Sequence, residues 1–354
     1  MWTFEWRRLT LRVLGVLTLS SLTVGCACTR GPVNASPGLR WWLFSTFGAE
    51  RICPEILKRG APLKLDQNGP TIGRFFPDQC QHAVNEQAQT VTLSFGGSGY
   101  AWTPIAGRVG FHATATVEYR MDFYLAEDDA IYVWGKPARI VAGPDFQIGA
   151  VENKMVDWAS RTPVGYMAQT FGGQIVSDKL ANGFTVVRTD EGDEFTLGYL
   201  APPQRPPKAF NLPEGDRIVY ANDTTEVRAE QVDFLGPFEV ADDEQALFLR
   251  FRLTGAPAEV LVYQRGNADL WRNQLQLGAA LAAPPMPPIT GFPIQPGLEQ
   301  KQRIALPRGQ YILVVDNSSR VGSVNPPWNP LSMVGANSAI LSYSVELGDA
   351  DEDF

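Results

Sequence analysis

The residues of this 354-residue chain that could do chemistry are few: two histidines, four cysteines and some short runs of charge. A nucleophilic hydrolase needs an imidazole beside a serine or cysteine, and only His82 and His112 can supply one. His112 falls on the polar side of a long alternating stretch, near Glu118 and Arg120 only along a strand, which is a surface or structural position. Gly96-Gly97-Ser98-Gly99 is followed by Tyr100, where the G-x-S-x-G elbow requires glycine. The same run lacks the Gly-Lys-Ser/Thr of a phosphate loop. Asp190, Glu191, Asp193 and Glu194 could attract calcium, but the EF-hand spacing and its distant glutamate are missing, so a solvated turn is the simpler reading. Asp242-Asp243-Glu244 reads the same way. Arg250 and Arg252 flank one strand face with Phe248; they could meet a sugar or a carboxylate, or form an ordinary exposed sheet face. With no C-x-x-C and little histidine, zinc has no ligand set. These residues predict no catalytic centre, no metal site and no cofactor.

Compartment is more legible. Arg7, Arg8 and Arg12 precede an apolar run from Val13 to Val24. Basic residues hold an N-terminus on the cytoplasmic side of a membrane. About a dozen apolar residues fall short of the ~20 a spanning helix needs, which fits the core of a secretory signal. The run closes on Leu22-Thr23-Val24-Gly25-Cys26. Here the chain resembles bacterial lipoprotein precursors, in which a small residue precedes a cysteine at the cleavage site. That resemblance covers the first ~30 residues. It implies that Cys26 becomes the lipidated first residue of the mature protein, carrying a diacylglycerol on sulfur and an acyl chain on its amine. Multiple acyl chains anchor stably where one binds marginally. Ala27, rather than aspartate, follows the cysteine, which in that family points to the outer membrane. The alternative is an ordinary cleaved signal in which Cys26 is incidental.

Composition sets further bounds. The formal charge is −8, and the three arginines and one glutamate of residues 1–25 take the remainder to −10. Such a chain lacks the basic footprint of nucleic-acid binding and of charge-driven adhesion to anionic lipid. The 33 glycines and 27 prolines favour many turns, hence β or α+β structure. In an oxidising envelope Cys53 and Cys80 are expected to pair, stabilising the fold by ~3 kcal/mol. Cys28 is left over.

The elements that would position these residues divide into two groups. Residues 26–40, small, polar and broken by prolines, read as a flexible lipidated tether. Trp41, Trp42, Phe44 and Phe47 then read as the first element of a core, with contact to a bilayer as the alternative. Cys53 to Lys58 reads as a short helix with Pro54 in its first turn. Val91 to Phe95 reads as a strand ended by the glycine run. From Val109 to Phe123 the odd positions are apolar and the even ones polar, the pattern of a long half-buried antiparallel strand. A hairpin to Ile131–Trp134 follows, then a helix from Thr162 to Leu180, then a hairpin around Asp190–Asp193. Ala201 to Pro213 is a proline-rich linker. Beyond it, Leu247–Leu253, Val260–Tyr263, Ile304–Leu306, Tyr311–Val315 and Ala339–Leu347 alternate like the strands of a sandwich. A helix within Ala268–Ala282 and a proline-rich loop from Pro284 to Pro296 interrupt them. The run Leu306 to Ser319 is similar to the late strands of the jelly-roll-like accessory domains found at the C-termini of secreted bacterial proteins.

The expected protein is therefore a signal (1–25), a tether (26–40), an α+β N-terminal domain (41–200), a linker (201–213), an all-β, jelly-roll-like sandwich domain (214–347) and an acidic, solvated tail (348–354). The expected role is non-enzymatic binding or support, anchored to the outer membrane by lipid, with an envelope protein or a glycan as partner and no nucleic acid. A carbohydrate- or peptide-binding sandwich is the second reading and an envelope hydrolase the third.

Overall fold

The computed structural model describes residues 26–58, 60–64, 68–103, 107–152, 182–213, 215–284, 286–325 and 337–354. The segment read as a signal, residues 1–25, and the helix expected from Thr162 to Leu180 lie outside the described residues. Three short helices, α1 (Cys26–Ala35), α2 (Pro37–Leu43) and α3 (Ile52–Lys58), lead into strands β1 (Ala61–Lys64), β2 (Thr71–Asn85), β3 (Thr90–Thr103), β4 (Gly107–Leu125), β5 (Ile131–Val151), β6 (Phe184–Thr189) and β7 (Gly192–Leu197). After the linker come β8 (Ile218–Val227), β9 (Gln231–Val240), β10 (Gln245–Gly255), β11 (Ala258–Gln264), helix α4 (Arg265–Gln276), β12 (Thr290–Ile294), β13 (Glu299–Ala305), β14 (Gly309–Asn317) and β15 (Ala339–Asp349).

Strands β2 to β7 form an antiparallel meander, each beside its chain neighbour. The alternation of β4 is real: Val109, Phe111, Ala113, Ala115, Val117, Tyr119 and Met121 are buried, while His112 and Arg120 are exposed. Register shifts interrupt β4–β5 at Gly110/Phe111, Thr114/Thr116, Thr116/Val117 and Glu118/Tyr119. Bulges of this kind bend and twist a sheet, so β2 to β7 curl. The glycine run belongs to β3 and is not a turn. A Cβ on Gly97 would collide with the backbone of Phe76, and one on Gly99 would lie 2.5 Å from the Phe111 ring. Glycine here allows close approach within the sheet, which local turn chemistry cannot reveal.

The later strands pair as a folded ribbon: β8 with β15, β9 with β14, β10 with β13 and β11 with β12. Further pairing of β10 with β15 and β11 with β14 gathers them into two facing layers, β13-β10-β15-β8 and β12-β11-β14-β9. Leu247, Leu249, Phe251 and Leu253 from one layer meet Val260, Val262, Leu313 and Val315 from the other, all at 0 % exposure. This sandwich-like core is what the alternation in those segments predicts.

The two groups of strands do not stand apart. The curled sheet joins the first sandwich layer through a single parallel bridge, Thr71 to Thr225, between β2 and β8, making an 11-stranded sheet. Its other edge reaches the same strand, where Val219 N–H donates to Glu191 O at 2.5 Å. A second core crosses the junction: Phe76, Tyr100 and Trp102 pack with Phe234, Tyr263, Ile312 and the α4 residues Trp271 and Leu275.

Three local readings change. Residues 26–43 are helical except at Ser36, not an extended tether. Ser36 caps α2 and Pro37 starts it. The helices are held by partners far along the chain: Arg40 Nε and Nη2 bond Asp122, and the Asn34 side chain exchanges two hydrogen bonds with the Leu125 backbone. The acidic tail is not free: Glu352 accepts from Arg217 at 2.8 Å, and the Phe354 ring meets Phe248 at 5.5 Å. The proline-rich loop contains strand β12, whose single proline, Pro293, is tolerated at a sheet edge.

Candidate functional site

The curled sheet leaves its concave side partly unfilled. A cavity of about 540 Å³ lies there, between β2–β7, the N-terminal helices and the near edge of the sandwich. That volume is in the range of sites for small molecules, ~300–1,000 Å³. The reason is in the residue sizes. On the buried face of β4, Ala113 and Ala115 stand between Phe111 and Val117, so the curved wall recedes where two small side chains sit.

Four elements build the wall. From β4 come Ala113, Ala115, Tyr119 and Met121; from the hairpin β6–β7 come Phe184, Val186, Phe195 and Leu197. Leu63 and Phe75 line another side, and Phe44, Gly48, Ile52 and Ile56 close over the space from the helical segment. Tyr119 is buried, and burial pushes its phenol well above the usual value, so it offers a neutral hydroxyl at any physiological pH. Three of the cations in the lining are paired. Arg188 grips Asp193 with two bonds of 2.8 Å, Lys64 Nζ lies 2.5 Å from Asp223, and Lys208 lies 2.6 Å from Glu194. The Arg188 guanidinium is held above its usual value by the hydrogen bonds to Asp193, against the effect of burial. Cations already spent on carboxylates select weakly for an anion, and most of the remaining wall is apolar.

The cystine is the brace of this arrangement. Cys53 on α3 is bonded to Cys80 on β2, with 5.3 Å between Cα atoms. It fixes the helical segment over the sheet. Sequence reasoning gave the pair but missed the cavity. The signal was the Ala113/Ala115 gap in an otherwise bulky apolar face, informative only once the strand is known to curve.

The other chemistry-bearing residues are not brought together. His112 is opposite Ser98 and His82 opposite Leu93, so the two histidines sit at different levels of the sheet. Asp242 accepts the Glu244 N–H within its own turn, and Asp243 accepts the N–H of Arg308 from the loop before β14. Asp193 and Glu194 belong to the ion pairs above. Arg250 lies near Glu299 and Glu346, at 3.8 and 3.6 Å, and Arg252 bonds Glu299 at 2.8 Å. Phe354 and Phe210 lie beside them, with the Arg250 and Arg252 guanidinium carbons 5.2 and 5.1 Å from the respective rings, and Arg252 stays exposed. Cys26 starts α1, and its side chain lies outside the described residues. Among the described residues no three His, Cys, Asp or Glu side chains cluster as metal ligands, and no helix is long and apolar enough to cross a membrane. No protein-family model matches the chain, and no curated protein matches it.

Proposed function

We propose that this chain is a lipid-anchored protein of the bacterial envelope, attached to the outer membrane through Cys26, with a non-enzymatic binding role. Its ligand is an apolar small molecule held in the cavity on the concave side of the β2–β7 sheet. The observation that carries this is the cavity itself: about 540 Å³, walled by aliphatic and aromatic side chains from the sheet and by Phe44, Ile52 and Ile56 from the helices. An apolar space open to water is unfavourable by roughly 25 cal/mol for each Å² of apolar surface left wet, so an apolar guest gains on entering.

The β8–β15 unit is, in this reading, a jelly-roll-like support to the α+β part. The ribbon pairing of first with last and second with next-to-last strands favours it. The face with Arg250 and Arg252, the alternative site for a glycan or peptide, is partly covered by Phe210 and Phe354, with Arg252 still exposed.

The test is direct. Protein purified from native envelopes is extracted with organic solvent and the extract examined by mass spectrometry. In parallel, binding of the apolar fluorophore N-phenyl-1-naphthylamine is titrated for wild type and for Ala115→Phe, which fills the gap in β4. Copurifying apolar molecules, and at least a tenfold loss of fluorophore affinity in a folded Ala115→Phe protein, are expected. Equal affinity in both proteins rules the cavity out as the site. Mass spectrometry of the N-terminal peptide checks Cys26: an unacylated chain, or one starting elsewhere, removes the lipoprotein reading.

A further inference from the structure

The helical segment over the cavity has two faces of opposite use. Trp41 and Phe44 turn inward and are buried, and Trp41 Nε1 bonds Glu86 at 2.7 Å. Trp42 and Phe47 turn outward, 54 % and 63 % exposed. Residues Phe44–Gly48 form a π turn, and its wider winding brings residues five apart onto one side. Trp42 and Phe47 accordingly meet edge to face, with ring centroids 6.1 Å apart. Two large exposed aromatic rings in edge-to-face contact are not explained by the core behind them.

We infer that Trp42 and Phe47 are the membrane-contact face of this protein and that the surface they dock on is a lipid bilayer. Three observations choose that occupant. The apolar run Val13–Val24 ends two residues before Cys26, and the chain from there to Trp42 is nearly all helix, α1 and α2. At 1.5 Å per residue the helical path from Cys26 to Trp42 reaches at most about 24 Å, so a membrane-held N-terminus keeps the pair within reach of the lipid. Tryptophan favours the membrane–water boundary because its ring is apolar and its N–H stays wet. Local charge is permissive too: residues 26–60 hold five basic and two acidic side chains in a chain of net charge −8. Arg30 and Arg40 are already paired with Asp129 and Asp122, so insertion of the rings, more than charge, supplies the contact.

The consequence rests on the binding reading. Gly48 and Ile52, beside the pair, line the cavity, so a docked segment sets the cavity against the lipid surface. The ligand is then a molecule drawn from the bilayer, an acyl-chain lipid, and not one captured from water.

The test uses the full chain bound to vesicles of phosphatidylethanolamine and phosphatidylglycerol with brominated acyl chains, which quench tryptophan on contact. Trp42→Phe should remove a measurable share of the bromine-quenched emission, and Phe47→Ser should reduce quenching of Trp42. Quenching identical in wild type and Trp42→Phe overturns the inference. Sedimentation without lipid covers the rival occupant: if wild type is a dimer that Trp42→Ser/Phe47→Ser turns into a monomer, the face joins two copies of the chain and the inference fails. A transfer assay separates docking from ligand binding. Trp42→Ser/Phe47→Ser should slow uptake of a pyrene-labelled fatty acid from vesicles by about fivefold or more, while binding of N-phenyl-1-naphthylamine from solution stays unchanged. Equal uptake overturns the link between docking and ligand. If wild type takes neither probe, the binding reading fails while the quenching result still decides the membrane contact.

Discussion

Arg74 on β2 and Asp233 on β9 form an ion pair inside the protein, across the junction of the two strand groups. Arg74 Nε and Nη2 lie 3.0 Å from the two Asp233 oxygens, and the residues are 4 % and 1 % exposed. Tyr100 Oη donates to the same carboxylate at 2.6 Å and Thr225 Oγ1 at 2.8 Å. A buried pair of charges is tolerated when its remaining hydrogen-bonding capacity is met, and here four donors from three strands besides β9 meet it.

Removing one partner should therefore be costly. Arg74→Met leaves a buried carboxylate without its cation and should destabilise by about 3–5 kcal/mol in denaturant unfolding. Arg74→Met combined with Asp233→Leu should cost clearly less than the two single changes added together. Strict additivity would show that the pair does not interact.

The junction also predicts the outcome of limited proteolysis. Residues 201–213 contain no strand or helix and invite cleavage. The two fragments should nevertheless stay together on a sizing column, because Trp271, Phe234 and Tyr100 share one core across the cut. Fragments that separate without denaturant would contradict the shared core.

Cys53 and Cys80 close a loop of 27 residues in sequence separation. Both should resist alkylation until reduced, and Cys53→Ser should lower stability by about 3–4 kcal/mol in the chain-entropy account. Because the cystine holds α3 over the cavity, hydrogen exchange should accelerate first in Ile52–Lys58. Uniform acceleration over the whole chain would argue against that local role.

Two aspartates set opposite pH trends. Burial opposes ionisation of Asp233, but Arg74, Tyr100 and Thr225 outweigh it and hold the carboxyl below its ordinary value of 3.8. Its contribution is complete above that value and is lost as pH falls below it. Asp316, across from Glu259 on neighbouring strands, is pushed up to about 6 by burial, despite hydrogen bonds from Ser318 and Gly322. The folded state then takes up a proton before the unfolded one, so stability rises as pH falls from about 6 to about 4, by on the order of 2–3 kcal/mol. From these two groups maximum stability should lie at about pH 4, and Asp316→Asn should flatten the slope on the neutral side. An unchanged slope in that variant assigns it to another group.

Much of the chain was readable from local pattern. The alternation of Val109–Phe123, Leu247–Leu253 and Ala339–Leu347 marked the apolar face that each strand buries, because a strand has two faces and water selects between them, while Phe248, Ser344 and Glu346 on the opposite faces are buried by tertiary contacts that the pattern does not carry. The cysteine count, with an expected oxidising compartment, pointed to the Cys53–Cys80 pair that the fold contains. What the sequence left open needed contacts between distant residues. β2, β8 and β9 went unread, since their polar and apolar positions alternate poorly: Thr71 and Thr225 are buried because they meet each other, and Asp233 because Arg74 neutralises it. Residues 26–40 have the composition of a tether and become helical against Asp122 and Leu125, some eighty to ninety residues away. The acidic tail looks solvated and folds back onto Arg217 and Phe248. The cavity is the clearest case. Ala113 and Ala115 are ordinary small residues until bulges curve the sheet around them. Space inside a protein belongs to the arrangement of several strands, and no single strand carries it.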